Sequence, residues 1–475
     1  MKKGLWIGLA ILGFAALGAP GYWWLEGLPA FQPAEEPFQV IDKRWGRGEL
    51  NVSRFGSSLT ITPVQRPRGR SAFYLDPPLS DGSGLDFMYY QSETRSHFFR
   101  YLAGRSRPEQ LFEVAANVES GAVLAGGTAL IYQESPQNGD PDGSLWYQAK
   151  GAPGRILLKR CNFYRVSPDR TRVIAGGAPP NGKTQTRRLY LILAETGALI
   201  ELGQARAPQN WDELMAFECH WSPQSGHVAL NHQVFAIPSG RLLIELSVPD
   251  ARISMTAWSP DGARLAFAIQ SSRYQRYTVA MENRELYLSD RLGIYNPGDG
   301  AIQTIALDEG LISRFQWERS GLRLIAAAVP LATAETYIQA TQSADAADRY
   351  DLVLIDPAPA TATRLLADCP LLEIAGFEKD LLFFSMQTES GEVRLFGHDL
   401  RSRSTAALLP ETTAVPYPDG DQVYLLAEHG LYRTGPALQA AKVLTLQDGD
   451  SGWVLPDQKM VILPGTDRIR IQRFQ

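Results

Sequence analysis

The stretch Trp258-Ser-Pro-Asp-Gly-Ala-Arg-Leu-Ala-Phe-Ala268 is the clearest structural signal in the chain. An apolar strand ends at Trp258, the Pro-Asp-Gly run favours a tight turn, and a second apolar strand follows Arg264. The repetition of this unit predicts a protein assembled from similar strand pairs. Related copies are Tyr164-Arg-Val-Ser-Pro-Asp169, Cys219-His-Trp-Ser-Pro223, Phe315-Gln-Trp-Glu318, Gly376-Phe-Glu378, Tyr417-Pro-Asp-Gly420 and Val454-Leu-Pro-Asp457.

A second strand pair follows the first in several units, as in Leu189-Tyr-Leu-Ile-Leu193 and Ala198-Leu-Ile-Glu-Leu202. The repeat anchors lie between 37 residues apart, from Ser222 to Ser259, and 60 residues apart, from Trp317 to Phe377. Four strands in roughly 40 to 50 residues are typical of a propeller blade, and longer spacings indicate a blade with an insertion. The sequence therefore predicts an all-β fold, a β-propeller of seven or eight four-stranded blades over residues 49–475.

The same residues resemble a known family. Trp258-Ser-Pro-Asp-Gly-Ala-Arg-Leu-Ala-Phe-Ala268 is similar to the repeat of TolB-like β-propellers, bacterial relatives of WD-repeat propellers. The resemblance covers residues 160–463 and extends only to the propeller half of TolB. It implies the fold and, as the usual role of such propellers, a rigid binding surface.

The first 26 residues differ in composition from the rest of the chain. After Lys2 and Lys3, residues 4–25 carry no charge, which is long enough for a single hydrophobic helix to span a bilayer. The preceding lysines favour an inner-membrane, single-pass anchor with the body in the periplasm or outside the cell. The alternative is a cleaved signal peptide and a soluble periplasmic or secreted protein. Residues 27–48 read as a linker.

Charge and cysteine content narrow the classes of partner. The 475-residue chain has a net charge of −5 without a basic stripe, which argues against nucleic acid. Cys161, Cys219 and Cys369 are spaced for neither a metal nor a redox motif, and they are expected as buried free thiols or with one disulfide at most.

One short motif matches a nucleotide-binding pattern. Gly177-Ala-Pro-Pro-Asn-Gly182-Lys183-Thr184 fits the P-loop consensus at every fixed position. A P-loop needs a helix after the glycine loop to hold the phosphates, whereas the apolar run from Leu189 predicts a strand. We therefore interpret these residues as a solvated hairpin loop and expect no bound nucleotide.

Metal binding is the next class of site. Asn138, Asp140 and Asp142 match the start of a calcium loop, although the later ligand positions hold Trp146 and Ala149. A plain polar turn is the competing interpretation, so Ca²⁺ is the one cofactor that the sequence leaves open. The histidines 220, 227 and 232 have odd spacings that place them on different faces of a strand, and they are expected to be isolated rather than metal ligands.

Two long insertions, residues 271–284 and 330–349, belong to consecutive units. In a propeller they would lie side by side on one face, where aromatic residues and arginine dominate binding energy once buried. The residues predicted to contact a partner are Tyr274, Arg276, Tyr277, Tyr337 and Ile338.

The function predicted from the sequence is a non-catalytic scaffold that binds another protein of the cell envelope. No nucleophile elbow or zinc-protease motif is present. The alternative is a propeller enzyme acting on a sugar, peptide or lactone in the central channel, because an active site assembled from several blades would leave no local motif.

Overall fold

Antiparallel strands joined by short turns make up nearly all of the described chain. The computed structural model describes residues 39–474 except 46–49, 56–57, 64–72, 77–78, 80–82, 93, 104, 106–107, 136–142, 181–186, 204, 210–212, 215–216, 275–277, 282–283, 308–309, 335–348, 411–413, 420–421, 447–451 and 466–467. Apart from Gln39, all described residues belong to one unit, Val40–Gln475.

The strands are numbered in chain order. They are β1 (Gln39–Trp45), β2 (Leu50–Phe55), β3 (Ser58–Pro63), β4 (Phe73–Leu75), β5 (Gly84–Ser92), β6 (Arg95–Leu102), β7 (Glu109–Val114), β8 (Val118–Leu124), β9 (Ala129–Glu134), β10 (Gly143–Ala149), β11 (Arg155–Val166), β12 (Arg172–Ala178), β13 (Arg188–Leu193), β14 (Ala198–Glu201), β15 (Cys219–Trp221), β16 (His227–Leu230), β17 (Gln233–Ala236), β18 (Arg241–Glu245), β19 (Ala251–Trp258), β20 (Leu265–Ser271), β21 (Thr278–Met281), β22 (Arg284–Tyr287), β23 (Arg291–Tyr295), β24 (Ile302–Ala306), β25 (Gly310–Trp317), β26 (Leu324–Pro330), β27 (Tyr350–Asp356), β28 (Thr361–Cys369), β29 (Leu371–Glu378), β30 (Leu381–Gln387), β31 (Val393–Asp399), β32 (Ser404–Leu409), β33 (Ala414–Asp419), β34 (Gln422–Ala427), β35 (Gly430–Thr434), β36 (Ala441–Thr445), β37 (Trp453–Leu455), β38 (Met460–Pro464) and β39 (Ile469–Arg473).

Helical structure in the described residues is short. It comprises three 3₁₀ turns, Ala125–Gly127, Ser272–Tyr274 and Pro456–Gln458, and helical residues at 213–214 and 331–334. Within the same part of the chain, no helix has the length and apolar character to cross a bilayer. The hydrophobic helix predicted for residues 1–26 lies outside the described residues.

The strands form four-stranded antiparallel sheets in which each strand pairs with the next. Six sheets of this kind contain β4–β7, β15–β18, β19–β20–β23–β24, β25–β28, β29–β32 and β33–β36, with the hairpin β21–β22 as a separate pair. A seven-stranded sheet spans β8 to β14, because the twelve-residue β11 pairs with β10 in its first half and with β12 in its second.

The last sheet joins the two ends of the described chain. Strand β39 pairs with β3 in antiparallel register, with Leu59 opposite Ile471 and Ile61 opposite Ile469, in the order β37–β38–β39–β3–β2–β1. Apolar side chains of this sheet, such as Ile471, pack with Phe87 and Phe99 of the sheet β4–β7.

Each sheet packs face to face against the next. Ala229 of β16 lies in one cluster with Phe267 of β20, and Leu352 of β27 lies in another with Phe384 of β30. Because the sheet that ends the series also packs against the first, the sheets form the closed series of a propeller. The predicted all-β fold with four-stranded antiparallel sheets is confirmed.

Tryptophan side chains connect the first strands of neighbouring sheets, where the first strand is the one that comes first in the chain. The indole Nε1–H groups donate to backbone carbonyl oxygens of the preceding sheet: Trp221 to Arg165 at 3.2 Å, Trp258 to His220 at 2.9 Å and Trp317 to Ala257 at 2.9 Å. In each preceding sheet, the acceptor is the residue just before the repeat's tryptophan position: Arg165 before Val166, His220 before Trp221 and Ala257 before Trp258. We call these three contacts the tryptophan links.

The turn after each tryptophan explains the Ser-Pro-Asp-Gly sequence. The fully buried Ser259 hydroxyl donates to Asp261 Oδ1 at 2.5 Å and accepts from the Arg264 amide at 2.9 Å. Gly262 has a φ of +63°, a conformation that glycine adopts without strain. Arg264 then places its guanidinium 5.3 Å from the Trp317 ring centroid, in the next sheet.

The copy at Trp317 has lost these turn residues, and an ion pair takes their place. The Glu318 side chain, 3% exposed, accepts two hydrogen bonds from Arg323, at 2.7 Å and 3.0 Å. Arg323 also contacts Asp380 at 2.8 Å and stacks 5.4 Å from the Phe377 ring. The copy at Trp317 therefore still has an arginine stacked on an aromatic ring of the next sheet. An ion pair replaces the serine and aspartate that form the turn in the intact copy.

A second cluster of charged side chains connects the sheet β4–β7 with the seven-stranded sheet β8–β14. Asp86, 1% exposed, accepts from Arg100 at 2.7 Å and 2.8 Å and from Arg170 at 2.6 Å. Arg170 also lies 3.4 Å from Asp76, and Arg100 donates to the carbonyl of Gly126 at 2.7 Å. Burial raises the pKa of Asp76 to about 6, and the Asp86 carboxylate also raises it, whereas Arg170 opposes this shift.

The first prediction concerns the tryptophan links. Trp258→Phe keeps an aromatic ring but removes the N–H donor to the His220 carbonyl, so it should lower the free energy of unfolding by about 1 kcal/mol. Urea unfolding measures this loss, with Tyr74→Phe, a change at an exposed ring, as the control. An unchanged midpoint for Trp258→Phe would show that the link contributes nothing to stability.

The second prediction concerns Asp76. Its pKa is higher in the folded protein than the ordinary 3.8, so the native state binds this proton more tightly than the unfolded state. The group's contribution to stability is therefore largest below about pH 4 and is lost as the pH rises through about 6.

Asp76→Asn removes this titration. The variant should gain stability relative to the unmodified protein as the pH is raised from about 4 to about 7 in urea unfolding. The matched control is Asp457→Asn, at an exposed carboxylate. A difference between Asp76→Asn and the unmodified protein that stays constant over this range would contradict the assignment.

Candidate active site

The first strands of successive sheets form the wall of the central channel. Contacts connect β15 with β19, β19 with β25 and β25 with β29. These strands carry half-exposed residues along their middle, whereas the second strands β20, β26 and β30 are almost entirely buried. We call β15, β19, β25, β29 and the second half of β11 the channel wall.

The channel wall is irregular in three of its strands. The register with the second strand shifts at Met255 in β19, at Ser313 in β25 and at Ala375 in β29. Met255 has a positive φ of 49°, which is costly for a residue with a side chain. Such β-bulges change which way the adjoining side chains face and are common beside active sites.

One polar group on the channel wall contains His220. The His220 Nε2 atom lies 3.8 Å from Glu218 Oε2, and the Thr256 hydroxyl donates to the same oxygen at 3.4 Å. The side chains of His220 and Glu218 are 26% and 35% exposed, so both are accessible from the channel. Arg165, on the preceding first strand, is close enough to act electrostatically on His220.

The protonation state of His220 follows from its surroundings. Burial lowers the pKa of the imidazole, and the positive charge of Arg165 lowers it further. His220 is therefore neutral near pH 7 and able to accept a proton. The neighbouring Cys219 is different, because burial raises the pKa of its thiol to about 12, which leaves no thiolate for nucleophilic attack.

A second polar group lies further along the channel wall. Arg314 of β25 has its guanidinium 5.3 Å from the ring centroid of Tyr350. Burial raises the pKa of Glu373 in β29, and the charge of Arg314 opposes that shift. This group supplies a fixed positive charge and a carboxyl group on β25 and β29, with β19 between β25 and the strand that carries His220.

The residues predicted to bind a partner are only partly described. Tyr274 ends the 3₁₀ turn Ser272–Tyr274, its carbonyl accepts from Gln270 Nε2 at 3.1 Å, and its ring packs against a core cluster. Arg276, Tyr277, Tyr337 and Ile338 lie outside the described residues, so the binding surface predicted from them stays a prediction.

The calcium-loop and P-loop motifs are also only partly described. Asn138, Asp140 and Asp142 lie outside the described residues, and so do Gly182, Lys183 and Thr184. Gly177 lies within β12 and pairs with Arg188 of β13, as a strand residue does. Among residues whose placement is described, no three potential ligands cluster in a way that would hold a metal ion.

The remaining histidines and cysteines have structural positions. His227 stacks on Trp258 with ring centroids 5.6 Å apart, and His232 lies 3.7 Å from Glu245. All three cysteines are free.

Sequence reasoning missed the channel group because its members come from three first strands. A signal was nevertheless present. The four residues share a place in the repeat, one to three residues before its tryptophan position. Arg165 precedes Val166, Glu218 and His220 precede Trp221, and Thr256 precedes Trp258. Aligning the units on that position and comparing polar residues just before it would have identified the group.

Comparison with known proteins concerns the fold. No protein family matches the sequence, and no characterised protein does. Among solved structures, dipeptidyl peptidase 4 from Porphyromonas gingivalis is similar, with 12% identity and a TM-score of 0.47, over 84% of this chain and 56% of that one. The β-propeller domain of the Trilobed protease from Pyrococcus furiosus is similar with 10% identity and a TM-score of 0.35, over 80% of this chain and 99% of that one.

These neighbours correct the predicted function. Both are peptidases or parts of one by name, and the non-catalytic envelope scaffold predicted from the sequence is not retained. The scaffold was predicted from the two long insertions and from the usual role of TolB-like propellers, and the missing local motif is no argument against a site built from separate first strands. This chain spans about half the length of the dipeptidyl peptidase, at identities that concern the fold alone, so the chemistry has to be argued from the channel wall.

Proposed function

We propose that this protein is a hydrolase that cleaves an acyl bond, in a peptide or a lactone, within the central channel. The observation that supports this is the neutral, partly exposed His220, which lies 3.8 Å from the Glu218 carboxylate and within electrostatic reach of Arg165. A glycosidase would instead need two carboxylates facing each other across the substrate. A single histidine with a carboxylate neighbour suits general-base attack by water.

The residues have distinct roles in this reaction. His220 takes a proton from water as the water oxygen attacks the carbonyl carbon. Arg165 stabilises the negative charge that develops on the carbonyl oxygen. The imidazolium, held by Glu218 at 3.8 Å, returns the proton to the leaving nitrogen or oxygen as the acyl bond breaks. Thr256 positions the Glu218 carboxylate through its hydroxyl.

The third prediction tests His220. His220→Gln should lower kcat/KM at least about 100-fold in a panel of aminoacyl p-nitroanilides and lactones, because it removes the base. Activity of the unmodified protein should persist below the pH at which an ordinary histidine becomes protonated, since its pKa is lowered. Rates are measured with purified full-length protein.

The matched control is His232→Gln, which alters an exposed histidine that also lies next to a glutamate. It should leave the rate unchanged. Full activity of His220→Gln on every substrate that the unmodified protein cleaves would exclude this residue as the base, and a chain without activity on the whole panel would remove the proposed function.

We further propose, from the sequence, that the propeller is TolB-like with seven or eight blades. The expected anchor at residues 1–26 and linker at residues 27–48 would place the propeller in the periplasm or outside the cell, with cleavage of the anchor as the alternative. Contact with another envelope protein and the absence of nucleic-acid and nucleotide ligands stay predictions of the same kind.

A further inference from the structure

We propose that Arg314 forms a carboxylate-binding subsite on the channel wall, which makes short peptides with a free α-carboxylate the substrate class. The inference rests on the proposed acyl hydrolase and specifies what it cleaves.

The hydrogen bonding of Arg314 is the first observation. Its Nε atom is buried and, within the described part of the chain, has no hydrogen-bond partner. Buried polar atoms are normally paired, and we interpret this one as a donor kept for a ligand. The guanidinium stacks on Tyr350, a contact that uses the face of the planar group and not its edge of N–H donors. A ligand at that edge would share the charge of Arg314 with Glu373 of β29, which lies within its electrostatic reach.

The neighbouring strand supplies the second observation. The Ser254 hydroxyl in β19 is also buried without a partner among the described residues. Ser254 lies four residues before Trp258, and Arg314 lies three residues before Trp317, so the two occupy nearly the same height on adjacent first strands. The neighbouring Ser313 is satisfied, since its hydroxyl donates to the Ala327 carbonyl at 3.1 Å.

The chemistry of these donors selects the ligand. An arginine edge offers two parallel N–H groups that match the two oxygens of a carboxylate. Tyr350 is buried in a core cluster with Leu371 and Ile374, so the ring that the guanidinium stacks on is held rigidly. The α-carboxylate at the end of a peptide fits these donors.

The position of the subsite relates it to the reaction. Strand β19 separates β25, which carries Arg314, from β15, which carries His220. A peptide held by its terminal carboxylate at Arg314 would extend along the channel wall toward His220. The subsite then fixes which peptide bond meets the base, because the distance is counted from the free end.

The fourth prediction is a binding experiment that needs no turnover. Glycyl-leucine and glycyl-leucinamide are titrated calorimetrically into the full-length His220→Gln protein. The free acid should bind at least about tenfold more tightly than the amide, because only the acid forms the charged hydrogen bonds. Arg314→Met in the same background should reduce the affinity for the acid to that for the amide, whereas Arg314→Lys should retain part of the difference.

Arg273→Met is the matched control, because Arg273 also stacks on a tyrosine, with its guanidinium 5.2 Å from the Tyr274 ring centroid. It should leave the preference for the acid intact. Equal binding of acid and amide overturns the subsite, and this comparison needs no change at Arg314, so a misfolded variant does not affect it. A preference that survives Arg314→Met also overturns it.

The two proposals fail separately. A preference for the acid that depends on Arg314, in a protein without activity on the hydrolase panel, supports the subsite and removes the hydrolase. Hydrolysis that depends on His220, with equal binding of acid and amide, does the reverse.

Discussion

The tryptophan links are the interaction on which the rest of the structure depends. Each one holds an indole N–H of one sheet against a backbone carbonyl of the preceding first strand, so it fixes both the separation and the relative height of two strands. The acceptor of the Trp258 link is the carbonyl of His220, the residue whose imidazole is accessible from the channel. The geometry of the candidate site is therefore set by the same contact that assembles the fold, and a rigid element is what precise chemistry needs.

Short-range signals made the fold predictable. The Ser-Pro-Asp-Gly turn has a local physical cause, the Ser259 hydroxyl that bonds both Asp261 and the Arg264 amide, and the strands around it have ordinary apolar patterns. The continuous β11 was harder, because nothing local indicates that one strand serves two four-stranded halves. The Glu318–Arg323 pair was also hidden, since it replaces the turn residues by a contact that includes Asp380, far along the chain.

The candidate site could not be predicted in the same way. Its residues come from first strands that are distant in sequence, and the β-bulges at Met255 and Ser313 shift the alternation that would tell which side chains face the channel. A single inserted residue reverses that alternation, so periodicity alone fails there. The sequence contains no nucleophile elbow and no zinc-protease motif, and that observation says nothing about a site assembled from separate strands.

The pairing of β39 with β3 affects the order of events during synthesis. The strands that complete this sheet stand some four hundred residues apart, so β3 has left the ribosome long before its partner exists. Until Ile469–Arg473 emerges, the strand edge of β3 and the apolar faces of the first and last sheets stay open to unwanted pairing. A nascent chain of this protein is thus most vulnerable to aggregation just before β39 emerges, and chaperone contact at that stage would protect the open sheets until β39 pairs with β3.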